Sequence, residues 1–351
     1  MFFISHRKSI TSIETLSNDL IYEIFDYIEG FQLYKSFSNL NTRFQNLLQS
    51  NLVQLKLYFP LEKNEQVENQ LRNVLIPNND RILSLYTTNV IFTSINLDSS
   101  FSRLESLNMC NIKSDILPSA LRNLSTLPQL FSLKIIVYDK ILNNYDPYLV
   151  IFSLPVLKYS KFSIGSIQSS DELWPDNNYS SSPIQYLIIE HLCTLSKLIT
   201  MLSSTSQLRH LNCQCVNGFY LSIKSGVEII APNLTHLSIR RCQLSFHELE
   251  ILIKKIGSKL QVIRLTTVNN TAYFDGNRWE KLLTNYTPHL RLFQLEHQEV
   301  IPRDFTLIEE YGCLRNFTST FWKKPQWIIK FKFSMWLLWN LDIVFTINSS
   351  K

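Results

Sequence analysis

The sequence predicts an α/β chain in which three short N-terminal helices precede a stack of strand–helix repeats. Three observations carry this prediction. An apolar phrase, Leu-x-x-Leu-x-Leu, returns through the 351 residues at steps of 22 to 30. Between its copies the apolar positions fall three or four apart, the interval of a helix face. Residues 13 to 48 do not follow the repeat and carry three apolar stripes at helical spacing.

In chain order, Leu20, Ile24 and Ile28, with Ile21 and Phe25 beside them, form the first stripe. Ser17 suits the cap of that helix and Asp19 places charge in its first turn. Gly30 allows a tight exit, Leu33, Phe37 and Leu40 begin a second helix, and Phe44, Leu47 and Leu48 supply a third. So small a unit cannot enclose all these apolar side chains, and something else is expected to cover part of them.

The repeats begin next. The phrase stands at Leu52-x-x-Leu55-x-Leu57, Leu104-x-x-Leu107-x-Met109, Leu130-x-x-Leu133-x-Ile135, Ile184-x-x-Leu187-x-Ile189, Leu208-x-x-Leu211-x-Cys213, Leu234-x-x-Leu237-x-Ile239, Leu260-x-x-Ile263-x-Leu265 and Leu290-x-x-Phe293-x-Leu295. Weaker copies start at Ile82, Leu157 and Leu314, where Thr87, Ser160 and Ser319 replace one apolar member. Residues two apart on a strand share a face, so the second and third members point into the core. Leu195, Leu198 and Leu202, then Phe246, Leu249, Ile253 and Ile256, then Trp279, Leu282, Leu283 and Tyr286 mark return helices. Pro128, Pro155, Pro183, Pro232 and Pro288 stand just before strand phrases and stop what precedes them. Periods of about 20 to 29 residues with this phrase are the mark of leucine-rich repeats, which stack into a curved solenoid with strands on the concave side. The organisation expected is a helical unit over residues 10–50, the solenoid over 51–319 and an aromatic C-terminal cap over 320–351. Trp322, Trp327, Trp336 and Trp339 crowd that last segment, and its apolar run, broken by Asp342, is too short to span a bilayer.

The N-terminal segment resembles an F-box. The likeness rests on Leu16-Ser17, Asp19-Leu20, Ile24-Phe25-Asp26-Tyr27-Ile28 and Phe44-x-x-Leu47, in that order, over all three helices. Ser17 stands where the family usually has Pro, which removes some local pre-organisation. An F-box followed by leucine-rich repeats is similar to the substrate receptors of cullin–RING ubiquitin ligases. The resemblance implies that the helices dock into a Skp adaptor, and so into the cullin complex, while the repeats capture a protein substrate. Leu16, Ser17, Leu20, Ile24 and Leu33 are the expected docking residues, with Phe25, Ile28, Phe37 and Phe44 as internal core. Two alternatives remain: a helical cap over the first repeat, and an interaction scaffold with no link to ubiquitin.

The residues flanking the inward members put His210, His236, Arg240 and Arg264 side by side on the later strands, a set suited to an acidic or phosphorylated segment. Solvated strand faces are polar in any case. Catalysis is not expected: H-E-x-x-H and G-x-S-x-G are absent, and the 7 glycines are too scattered to cradle a phosphate. Neither metal nor cofactor is expected. With 34 basic and 29 acidic residues and no long like-charge block, nucleic acid is not the expected partner. The start Met1-Phe2-Phe3-Ile4-Ser5-His6-Arg7-Lys8 is too short an apolar stretch for a secretory leader, and the 6 spread cysteines fit a reducing compartment. A cytoplasmic or nuclear location is the expectation.

Overall fold

A computed structural model of the chain describes residues 12–59, 65–92, 94–141, 145–165, 179–218, 231–268, 270–302, 317–324, 327–336 and 340–349. The chain divides into two compact units, Met1–Asn108 with Thr126–Gln129, and Met109–Ser125 with Leu130–Lys351.

The first unit opens with α1 (Asn18–Asp26), α2 (Gly30–Phe37) and α3 (Thr42–Gln49). Each helix starts at its own cap. Ser17 Oγ accepts from Leu20 N, Glu29 Oε2 from Phe31 N and Gln32 N, and Asn41 Oδ1 from Phe44 N. Capping residues at three points break the segment into three helices. Between them Ile21, Phe25, Phe31, Leu33, Phe44, Leu47 and Leu48 are buried. The Phe37 ring lies 5.0 Å from Phe25 and 5.3 Å from Phe44, although Phe37 and Ile28 themselves are only half-buried.

Gly30 is not a turn residue but the first residue of α2. A Cβ there would stand 2.5 Å from Leu57 Cδ2 and 3.3 Å from the Lys56 carbonyl, on strand β1 (Leu55–Tyr58). Its neighbour Glu29 turns its second carboxylate oxygen to Tyr58 N at 3.0 Å. After α4 (Glu65–Gln70) and two further short helical turns, Arg81 donates to the Leu48 and Ser50 carbonyls and to Tyr34 Oη. Strand β2 (Ile82–Thr88) then pairs parallel to β1, and α5 (Asn89–Phe92) follows it. These ties carry the compact unit well past residue 50.

Strand β3 (Ser106–Ile112) crosses the division. The second unit then runs α6 (Leu117–Arg122), β4 (Ser132–Val137), α7 (Tyr148–Ser153), β5 (Tyr159–Ile164), β6 (Tyr186–Thr194), α8 (Leu195–Ser204), β7 (His210–Asn217), β8 (His236–Gln243), α9 (Phe246–Ile256), β9 (Val262–Val268), α10 (Gly276–Tyr286) and β10 (Leu292–Pro302). From β4 to β10 each strand pairs parallel with the next. The strands sit on the copies of the apolar phrase, and the phrase's second and third members are buried as expected, from Leu133 and Ile135 to Phe293 and Leu295. Even Thr87 and Ser160, the polar replacements, are enclosed at 0% and 1% exposure.

Entry into each strand from β5 to β10 is locked in one way. The Phe131 carbonyl accepts from both Lys158 N and Tyr159 N, that of Lys158 from Gln185 N and Tyr186 N, that of Gln185 from Arg209 N and His210 N, and so on to Gln261, which accepts from Arg291 N and Leu292 N. The expected return helices are present with their apolar sides buried, and Ser245 with Glu248 closes a reciprocal capping box on α9.

The segment expected as an aromatic cap contains two strands. Residues β11 (Trp327–Trp336) and β12 (Asn340–Ser349) are antiparallel strands, and β12 lies antiparallel on β10, from Gln294 against Asn348 to Pro302 against Asn340. The sequence reading placed no strand there, although Lys330, Lys332 and Ser334 alternate with Phe331, Phe333 and Met335, the interval of a strand. The expected repeat start at Leu314 lies outside the described residues, as does Trp339, and Ser319 belongs to no strand. Trp322 packs against Phe317, Phe321 and Trp327 with ring centroids 4.8 to 5.0 Å apart, and its Nε1 donates to the Gly276 carbonyl. Among the described residues no helix is long and apolar enough to cross a membrane.

Candidate interaction surfaces

In the first unit, the side of α1 turned away from its own core carries Leu20 at 47% exposure and Tyr27 at 92%, with Ile24 half-buried between them. Positions four and three apart bring these side chains into one stripe. Leu16 joins it half-buried, Ser17 is exposed at the cap, and Ile13 and Leu40 add apolar surface from the flanking segments. The stripe persists because Ile21 and Phe25 already fill the inner side of α1 against α2 and α3.

Leu33, expected on this surface, lies inside at 1% exposure. The second helix turns Leu33 and Phe31 inward together, with the Phe31 ring 4.7 Å from that of Phe59. Tyr27 and Leu40, read from the sequence as motif and second-stripe residues, and Ile13 were not expected on this surface; of the three, Tyr27, seven residues after Leu20, had a legible spacing. Arg43 was also missed. From α3 it donates to the Glu14 and Leu16 carbonyls at 2.5 and 2.6 Å and to Asn18 Oδ1, which pins the segment ahead of α1.

In the second unit, the strand residues between the buried members form a polar face. The register places His210 beside Tyr186 and His236, and the rings stack at 4.3 and 4.0 Å. Burial against this stack lowers the pKa of both histidines, and each then suffers a neighbouring cation: His236 and Arg209 for His210, Arg264 for His236. No third residue of ligand type joins the pair, and among the described residues no group of three or more His, Cys, Asp or Glu is placed to hold a metal.

One step further along the strands, Asn212, Ser238, Arg264 and Gln294 are mutual neighbours in register. At this level β8 carries an extra residue relative to β9, since Ile239 pairs with Leu265 but Cys242 pairs with Thr267. The bulge exposes both Arg240 and Arg241. A depression of about 350 Å³ opens here, lined by Arg240, Arg264, Ser238, Thr266, Gln294 and Glu296 among others. The structure therefore brings Arg240 and Arg264 into one site, with the histidine stack alongside. Cys213 and Cys242 lie beneath this face as buried thiols, and desolvation pushes Cys242 up to about 11.

A second polar cluster, not foreseen from the sequence, centres on the buried Tyr148, Asp146 and Lys197, with Tyr179 and His191 half-buried beside them. Tyr148 Oη lies 2.9 Å from His191 Nε2, and Asp146 takes Lys197 and Tyr179 on one carboxylate oxygen. Desolvation lowers His191 to about 4. No protein-family model matches the chain, and no curated protein matches it.

Proposed function

We propose that this protein is the substrate-recognition subunit of an SCF-type ubiquitin ligase, with α1 docking into a Skp adaptor and the strand face of the second unit taking a protein substrate. The observation that carries the reading is the solvent-facing stripe of Leu16, Leu20, Ile24 and Tyr27 on a helix whose opposite side is already packed. Large apolar side chains displayed in one line, fixed by a cap and by Arg43, are the form taken by a helix that completes its burial in a partner's groove. Covering Leu20 is worth about 1 kcal/mol at its present exposure, and the half-buried Ile24 adds less than about 1 kcal/mol. An adaptor interface of roughly 1,200 to 2,000 Å² needs several such anchors. On this reading the chain carries out no catalysis; it fixes a substrate near a ubiquitin-loaded partner, and its effect is proximity.

The test is co-purification of the full chain with a Skp adaptor. Wild type is expected to bind, and Leu20→Glu with Ile24→Glu is expected to lose at least 90% of the captured adaptor while keeping its circular dichroism spectrum. Equal capture by the double variant, or none by wild type, overturns the proposal and leaves an interaction scaffold unconnected with ubiquitin.

A further inference from the structure

We infer that the depression between β8, β9 and β10 binds an extended peptide segment in which a carboxylate side chain and a basic side chain stand two residues apart. The inference deepens the receptor reading, and rests on it only for regarding the bound segment as part of a substrate.

The positive end comes first. Arg240 and Arg264 are both exposed and both line the depression, and among the described residues neither makes an ion pair. Guanidinium groups present two parallel N–H donors that match a carboxylate edge-on. Ser238 and Gln294, level with Arg264 on the neighbouring strands, add donors to the same rim.

The negative end decides the ligand. Glu296 lines the same depression, is exposed, and makes no ion pair among the described residues. In register Arg264 stands beside Gln294, and Glu296 beside Thr266, so Arg264 and Glu296 are diagonal neighbours on adjacent strands. With strands about 4.8 Å apart and two residues rising about 6.6 Å, that diagonal spans about 8 Å. Side chains two apart on an extended peptide lie about 6.6 Å apart and point the same way. One peptide can therefore place an acid on the arginines and a base on Glu296 at once. A phosphoryl dianion answers two arginines equally well, but Glu296 then faces it as a like charge with nothing to oppose it.

Fluorescence anisotropy on the full-length chain tests this with four labelled nonapeptide pools of identical randomised flanks. Their centres hold Glu and Lys two apart in either order, two Glu two apart, phosphoserine with Ala, and Ala with Ala. The Glu-and-Lys pool is expected to bind at least fivefold tighter than the Ala pool and tighter than the phosphoserine pool, and to lose that margin in Arg240→Ala with Arg264→Ala. Glu296→Lys is expected to shift the preference to the phosphoserine and double-Glu pools. Tightest wild-type binding of phosphoserine, equal binding of all pools, or an unchanged profile in either variant overturns the inference. The assay contains no adaptor, so it can fail while adaptor capture succeeds, and the reverse.

Discussion

Lys197 reaches from α8 to Asp146 just ahead of α7, where the ammonium also lies 4.8 Å from the centre of the Tyr179 ring. Both charged side chains are enclosed, at 6% and 0% exposure. A buried ion that loses its partner keeps the cost of its desolvation. Lys197→Met is therefore expected to lower the unfolding free energy by about 3 to 5 kcal/mol in urea titration, and adding Asp146→Asn is expected to recover part of the loss; a single-variant cost below about 1 kcal/mol would refute the account. Nothing in the sequence marked these two residues as a pair, because 51 residues separate them and only the stacking of successive repeats brings them together. The same limit explains Leu33. Its helical spacing was legible, but which side of α2 faces outward is decided by where β1 lies, and that is long-range information. For Ser17 and Leu20 the exposure was legible locally, since cap and stripe belong to one helix, while Leu16 and Ile24 are half-buried.

At the scale of elements, the strand phrase was the most legible feature because period-two burial leaves a strict trace in the residue types. The return helices were legible where a full stripe and a cap coincide, as in α9. The closing strands β11 and β12 were less so: their apolar run resembles a core segment of any kind until an edge of the preceding strand is available to pair with it. Close approach between helices left no trace at all. Gly257 ends α9 with an ordinary right-handed backbone, yet a Cβ there would stand 2.5 Å from the Tyr286 carbonyl at the end of α10. The obstacle is backbone, so one of the two helix ends must move. Gly257→Ala is expected to cost about 1 to 3 kcal/mol and to lower the urea midpoint, whereas a neutral outcome would show that the helix ends part freely.

For the whole molecule, proton binding couples to stability through a histidine of the core. His297 is 0% exposed, lies 2.7 Å from Thr267 Oγ1 through Nδ1, and is flanked by the rings of Tyr273 and Phe274. Desolvation lowers its pKa from 6.5 to about 4. Between these values the unfolded chain binds a proton that the folded chain refuses. The contribution is thus complete above pH 6.5 and is lost as pH falls toward 4, by up to about 3 kcal/mol. His191 acts in the same direction. Urea titrations at pH 7, 5.5 and 4.5 are expected to show falling stability, with a shallower fall in His297→Gln; an identical slope in that variant would contradict the assignment.

The carbonyl that receives two successive amides at each strand entry has a consequence for how such a chain changes size. From Phe131 to Gln261 every donor pair belongs to the following strand and every acceptor to the one before it. The acceptors stand 24 to 27 residues apart along the chain, yet each receives the same pair of amides. The joint between neighbouring strands is therefore indifferent to how much chain lies between them, so length can change in the connections while every joint is kept.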